Sequence, residues 1–507
     1  MKNKKIVVFG LALVLILLIS AIYITTSSKS SYLDNGKIIF GDEDLGHTKT
    51  EELLFDLERV DIPIELTENY ETNEKMLAYA SNSRDHNFFI ALVLTDFNGE
   101  NLEYYISYLP QNVEKLSDSE HIEYFRSSRC TPHHATSAGT NKFYVFTYGE
   151  CNYFYKYDLE NMEMEVIIGE TLGLDSVISF VDTAFEEDGI IYLSTLEEEN
   201  GERVNRWYIA STDLSRIEKI YESYEAPAVH HSTRFFKGLI LSVPFSYRFS
   251  TSDGVVFNSF SEFTEHVYEE TGVSGVEVRR NPYKYLSEFE FKMLPDTLIM
   301  IDPDKDTIQF YNTSASLAGH LEEFKGKMYV SNHNFLIDSR LGVYFISPAT
   351  IDKFEYLNGE MFLSDSFVYE YGFRYTSHVL NEFEGMDYLV TIAYPNRLLI
   401  VDTDDMSIYR KLDIGTPYIE KAEEENYSRE EFLKLINNDI GNSYRNSMLA
   451  LETIENGEKI VLVSGNGNVY VYSLALDEII DEFSLSPTFH IGTTGTYSII
   501  PHHVNIV

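Results

Sequence analysis

Beyond residue 32 the chain is a succession of short apolar runs rich in Ile, Val, Leu, Phe and Tyr, broken by Gly, Asp and Asn turns, with no long amphipathic helical array. The pattern predicts strands and tight hairpins. One phrase recurs: a strand carrying a polar or His residue, about eight residues later a Gly-preceded apolar strand, then a strand ending in an Asp turn. Its clearest copies run from His231 through Lys237-Gly238-Leu239-Ile240-Leu241, from His320 through Lys325-Gly326-Lys327-Met328-Tyr329-Val330, and from Asp182 through Asp188-Gly189-Ile190-Ile191-Tyr192. Looser copies begin near Ala80, His134, His378, Glu452 and His490. Outer strands of the same phrase end as Ile301-Asp302-Pro303 and Val401-Asp402-Thr403.

A four-stranded unit repeating every 40–50 residues or so cannot bury both of its faces alone, so the units are expected to stack radially as an all-β β-propeller. The uninterrupted spacings His134 to Asp182 and Asp182 to His231 are 48 and 49 residues. Two stretches, 245–294 and 418–446, do not fit the repeat and read as insertions, each with a helix: Ser259 to Glu270, and one starting at the capping box Ser428-Arg429-Glu430-Glu431. With both set aside, residues 33–507 divide into eight blades of about 50 residues or seven of about 57, so eight is preferred and seven is the alternative. The phrase at His490 supplies only two strands before the end, while Gly36 to Phe40 and Leu53 to Val60 look like outer strands lacking a blade. N- and C-terminal strands together would close the ring and remove exposed edges.

The strands ending as Val401-Asp402-Thr403 make the pattern resemble the superfamily of YVTN-type and quinoprotein-like β-propellers. That resemblance implies a fold and leaves the activity open, because such propellers host binding proteins, scaffolds and several enzyme classes. The Trp-Asp signature of WD40 blades is absent, Trp207 being the only tryptophan. The single Asp-box-like string Thr251-Ser252-Asp253-Gly254 lacks the spacing of sialidases.

The first residues follow a different pattern. Residues 1–5 carry Lys2, Lys4 and Lys5, and residues 6–24 contain no charged side chain. As a helix that run spans about 28 Å, close to the hydrocarbon core of a bilayer. The segment reads as an uncleaved transmembrane signal anchor, with a basic cytoplasmic tail, a polar stalk over 25–32, and the propeller of 33–507 on the extracytoplasmic side of the cell membrane.

Composition then narrows the partners. A formal charge of −42 repels phosphate backbones and excludes a nucleic-acid reader working through basic patches. Apolar residues at 44% and aromatics at 14% supply a large core and exclude extended disorder. Cys130 and Cys151 centre on the Gly139-Thr140-Asn141 turn, so they are expected opposite each other across a hairpin as a disulfide outside the cytoplasm.

Candidate chemistry is sparse. His134, His231, His320, His378 and His490, with Asp182, fall at one point of the repeat, which places them on innermost strands beside the central channel. There they either line a solvated channel or hold a divalent Zn, Fe, Cu or Mn ion. No other cofactor is expected. Acidic strings such as Asp302-Pro303-Asp304-Lys305-Asp306 and Asp402-Thr403-Asp404-Asp405 read as turns rather than calcium loops, lacking the Gly and distal Glu. No nucleophile elbow, phosphate loop, dinucleotide fingerprint, His-Glu-x-x-His or Cys-x-x-Cys occurs. The leading expectation is therefore a membrane-anchored binding or scaffolding module. Its insertions open on one face, where Tyr247, Phe249, Phe257, Phe260, Tyr283, Tyr285 and Tyr427 would contact a protein or glycan partner. The alternative is a metal-dependent enzyme or redox protein using the channel histidines.

Overall fold

The computed structural model describes residues 32–33, 38–39, 54–56, 58–60, 75–81, 89–96, 102–108, 131–137, 142–148, 153–158, 163–168, 180–187, 190–211, 217–224, 232–246, 248–338, 342–373, 378–439, 448–465, 467–484, 488–490, 496–498 and 503–506. Among these are seven antiparallel sheets of four or five strands. Sheet 1 holds Lys75–Ser81, Phe89–Asp96 and Leu102–Tyr108, with His503–Ile506 on one edge and Glu58–Val60 on the other. Sheet 2 holds Thr131–Ser137, Lys142–Tyr148, Tyr153–Asp158 and Glu163–Ile168, with Leu54–Asp56 added beyond the last. Sheet 3 runs through Phe180–Glu187, Ile190–Glu199, Glu202–Ser211 and Ile217–Ser223. Sheet 4 comprises Ser232–Phe236, Leu239–Val243, Thr297–Asp302 and Thr307–Asn312. Sheet 5 comprises Ala318–Phe324, Lys327–Asn332, Ala349–Leu357 and Glu360–Tyr369. Sheet 6 comprises Val379–Phe383, Met386–Ala393, Arg397–Asp402 and Ser407–Asp413, and sheet 7 Met448–Ile454, Lys459–Ser464, Asn468–Ser473 and Glu478–Ser484.

The packing is propeller-like. In Leu239–Val243 every residue is buried, with no apolar–polar alternation. The reason is that both faces of the strand are covered. Leu239, Leu241 and Val243 pack with Leu321, Met328, Val330 and Phe354 of sheet 5. Ile240 points the other way, onto Trp207 of sheet 3. Sheets 6 and 7 share a similar core, in which Tyr388, Val390 and Ile400 meet Leu451, Ile460, Leu462 and Tyr472. Polar ties cross the same seams: the Trp207 indole donates to Ser242 Oγ at 3.0 Å, Lys353 Nζ to the Thr403 carbonyl at 2.7 Å, and the Tyr388 hydroxyl to the Gly457 carbonyl at 2.7 Å.

Along one edge of the stack, the strands Thr131–Ser137, Phe180–Glu187, Ser232–Phe236, Ala318–Phe324, Val379–Phe383 and Met448–Ile454 touch in that order, and His503–Ile506 touches both the last and the first. The C-terminal strand reaches this position by pairing with the first long strand of sheet 1, Val504 opposite Ala78. The N-terminal strands behave differently from expectation. Leu54–Asp56 and Glu58–Val60 extend the far edges of two sheets instead of building one, and Tyr32–Leu33 pairs only with Ile38–Ile39. Residues 6–24, Cys130 and Cys151 lie outside the described residues. Among the described residues no helix is long and apolar enough to cross a membrane.

Two-sided burial has a measurable signature. Ile240→Asp and Leu241→Asp, adjacent and pointing to opposite faces, should each abolish folding, because each places an unpaired carboxylate in an apolar seam. In a sheet with one solvated face, one of the two would be tolerated; soluble yield and far-ultraviolet circular dichroism distinguish these cases.

Candidate functional site

Chain segments that interrupt the repeat build a cap over sheets 4 to 6. The first leaves sheet 4 after Leu239–Val243 and returns at Thr297–Asp302. It carries a small sheet, Phe249–Ser250, Val256–Phe257 and Lys292–Met293, and helices α1 (Phe260–Thr271), α2 (Gly275–Arg280) and α3 (Pro282–Glu288). Ser259 caps α1 by accepting from the Glu262 amide at 3.2 Å. The second lies between sheets 6 and 7 and forms α4 (Tyr418–Glu424) and α5 (Arg429–Asn438), where Ser428 and Glu431 complete the capping box expected from the sequence. A third interruption, the hairpin Phe335–Asp338 and Gly342–Ile346, sits inside sheet 5 and has no counterpart among the sequence expectations.

All three share one core. Phe249, Phe257, Phe260, Phe263, Val267, Val278, Tyr285 and Leu286 join Phe335 and Leu336, then Tyr418, Ile419, Phe432, Leu433 and Ile436, together with Tyr329, Ile351, Leu389 and Leu399 of the sheets beneath. Asn437 Nδ2 of α5 donates to the Tyr283 hydroxyl at 3.1 Å, linking the two insertions directly, and α5 also lies against Gly342–Ile346.

This changes the role of the aromatic candidates. Phe249, Phe257, Phe260 and Tyr285 are buried in the cap's interior and cannot meet a partner. Phe249 alone meets Phe257, Phe263 and Phe291 in tilted or edge-on ring contacts at centroid distances of 5.4, 6.2 and 4.5 Å. Tyr283 and Tyr427 are half-buried, and Tyr247 lies outside the described residues.

Two buried charge centres fasten the cap. Asp296, 1% exposed, accepts from the Ser246 and Ala318 amides at 2.8 and 2.9 Å and from its neighbour Thr297 at 2.9 Å. One carboxylate thus joins both stems of the first insertion to the next sheet. Burial raises its pKa to about 6, against the pull of those amides. Under the second insertion, buried Arg397 pairs with Asp413 and donates to Glu423 of α4 at 2.7 Å and to the Tyr369 hydroxyl at 3.2 Å. Asp413 in turn accepts from the Glu420 amide at 2.9 Å.

Among the described residues, the histidine positions can be compared through strand register. The first strands of sheets 2, 3, 5 and 7 each carry a bulge, between Pro132 and His134, Val181 and Thr183, Ala318 and His320, and Met448 and Ala450. His134 and His320 follow the bulge, whereas Asp182 is the bulged residue itself. Hairpin register aligns Ser232 and Val379 with His320, which leaves His378 one position earlier. Neighbouring positions on a strand point to opposite sides, so His320 and His378 do not share one register. His490 is outside this series: its strand pairs only with Thr496–Ser498. His231 lies outside the described residues, as do the side chains of His134, Asp182 and His490.

His320 and His378 are both buried, and His320 is joined by His333, which the repeat pattern does not mark. The rings of His320 and His333 lie 5.7 Å apart. His333 Nδ1 sits 3.2 Å from the Phe373 carbonyl, and its ring presses on Gly319, where an added Cβ would fall 2.2 Å from Nε2. His378 is 1% exposed, with neither ring nitrogen at hydrogen-bond geometry to a partner. Burial, then the charges of His320 and Arg234, depress it to about 3, so it is neutral at physiological pH. Among the described residues no three His, Cys, Asp or Glu side chains are arranged to hold a metal ion.

No family model and no curated protein matches the sequence. Among solved structures, the crystal structure of Chaetomium thermophilum Raptor matches over 76% of this chain at 10% identity and a TM-score of 0.38. This chain spans 29% of that protein's length. A component of the mitotic checkpoint complex matches over 69% of this chain and 78% of its own at 7% identity and a TM-score of 0.41, and Kluyveromyces lactis Hsv2 over 68% and 75% at 9% and 0.38. The propeller-like description rests on the strand pairing and seam packing given above.

Two outcomes check these fastenings. Arg397→Met strands the buried Asp413 carboxylate and should cost about 3–5 kcal/mol in denaturant unfolding, with a good part recovered when Asp413→Leu is added. Asp296 and His378 carry opposite pH signatures. The raised Asp296 pKa means its contribution is full below about 4 and lost as the pH rises to about 6, by about 3 kcal/mol, a dependence that Asp296→Asn removes. The depressed His378 pKa means its contribution is full above about 6.5 and lost as the pH falls toward about 3, a dependence that His378→Leu removes; unfolding free energies from pH 3.5 to 7 test both.

Proposed function

We propose that the chain is a seven-bladed propeller, tethered through residues 6–24 on the outer side of a cell membrane, whose cap is a pre-organised platform for a protein partner. The single observation carrying the binding role is the shared core of the cap. Three separate chain interruptions converge on one apolar cluster, so the outward face they present is set before any partner arrives. Pre-organisation lowers the ordering cost of association, which decorative loops would have to meet at the moment of binding.

The seven four- and five-stranded sheets among the described residues, and the cycle of contacts between their edge strands, support the seven-blade reading. The difference from eight arises at the chain ends. The phrases near Ala80 and His490 count as separate blades in the sequence pattern, whereas the C-terminal strand pairs into the sheet containing Ala80. A protein partner is favoured over a glycan because Val255, Val256, Tyr268 and Val276 stand exposed on the first insertion.

Deleting the whole first insertion would uncover Phe335, Leu336 and Tyr329, so a surface block is the cleaner test. A bulky polyethylene glycol maleimide coupled at Glu424→Cys, exposed on α4, should abolish crosslinking to the partner in the producing organism's membranes. The same adduct at Asp304→Cys, on an outer turn of sheet 4, should leave crosslinking intact. Equal crosslinking at both would remove the platform reading.

A further inference from the structure

The outward surface of the first insertion is organised around α1. Phe260, Phe263, Thr264 and Val267 face the core, leaving Glu262, Glu265, Tyr268 and Glu269 in solvent on a twelve-residue helix that has no lysine or arginine. Two apolar shoulders flank this ridge. On one side Val255 and Val256, 37% and 47% exposed, stand at the hairpin before the helix. That hairpin is fastened to α1 by the Glu262 carboxylate, which accepts from the Asn258 amide at 2.8 Å, and by the His266–Asp253 contact at 3.3 Å. On the other side α2 runs back along α1: a Cβ on Gly275 would lie 3.3 Å from Thr264 Oγ1, and Arg279 Nη2 donates to Ser261 Oγ at 3.1 Å. Val276, 61% exposed, therefore stands beside the helix that carries Tyr268, 59% exposed.

Exposed aromatic and aliphatic side chains on a rigid support are costly to leave in water and suit a partner's apolar stripe. The charge around them selects its sign. A second copy of this chain would bring the same glutamates and the same net charge of −42 against the ridge. We propose that this face receives a cationic amphipathic segment of a partner protein. Its lysines or arginines lie against Glu262, Glu265 and Glu269, and its apolar side against Tyr268, Val255, Val256 and Val276. The apolar contact supplies affinity, and the charges supply encounter rate and discrimination. This assignment rests on the reading of the cap as a binding platform and names the chemistry of what binds there.

The test uses the full chain and a fluorescein-labelled synthetic amphipathic peptide of about fourteen residues built from Leu and Lys, with its Leu and Glu counterpart as control. The Lys peptide should bind and the Glu peptide should not. Glu265→Lys with Glu269→Lys should weaken binding roughly tenfold or more, and Tyr268→Ala a few-fold, all at exposed positions where circular dichroism stays unchanged. Asp304→Lys with Asp404→Lys, the same charge change on remote acidic turns, should leave affinity within about twofold. Equal weakening by both pairs would overturn the proposal, since binding would then follow bulk charge. Undiminished binding in the Glu265→Lys, Glu269→Lys, Tyr268→Ala triple variant would overturn it as well. Either result, with crosslinking still blocked by the adduct on α4, would sink the partner's chemistry while leaving the platform standing.

Discussion

The constraint on which the rest of this structure depends is that sheets 4, 5 and 6 bury apolar side chains on both faces, and neighbouring sheets supply most of the cover among the described residues. Leu239–Val243 states it most plainly: consecutive side chains on one strand enter different seams, so neither face can be given to solvent. Sheets therefore cover sheets, and the series ends only where His503–Ile506 pairs with Lys75–Ser81. That pairing ties a C-terminal strand to a sheet near the other end of the sequence, and the loop-bearing rims stay free to vary.

The cap exploits that freedom. Insertions rooted in different sheets would, as independent loops, have to bear the entropy of their own ordering. Here they share it, because Phe263, Phe335 and Phe432 belong to a single cluster continuous with the sheets below. The buried charged fastenings sit at the roots. Asp296 gathers amides from both stems of the first insertion, and Arg397 bridges Asp413, Tyr369 and α4 of the second. Buried charges of this kind add little net stability over apolar replacements, but they are unforgiving of the wrong partner and so fix where the cap sits.

Much of this was legible in the sequence, for identifiable reasons. Hairpins with Lys-Gly turns and period-free apolar strands announce a two-sided sheet, and Ser259 and Ser428 mark their helices through local capping chemistry. What was not legible depends on tertiary context. Phe249, Phe257, Phe260 and Tyr285 look the same in sequence whether they line an interior or a contact surface. Only the meeting of three interruptions decides for the interior. The hairpin at Phe335–Ile346 is short and carries ordinary strand residues, so nothing distinguishes it from the repeat around it. His320 sits one residue nearer its hairpin turn than His378 does, and one residue is enough to turn a side chain to the opposite face. His333 enters the cluster through the missing side chain of Gly319, a close approach with no periodic signal.

The shared core makes the cap an integral part of the propeller-like fold rather than decoration. Amide hydrogen exchange on the full chain tests it most directly. Core-side amides of α1 and α5 should exchange as slowly as those of the central strands Met386–Ala393 and Arg397–Asp402, since all draw on one apolar cluster. Exchange in α1 and α5 at the rate of exposed loops, with those strands still protected, would contradict it.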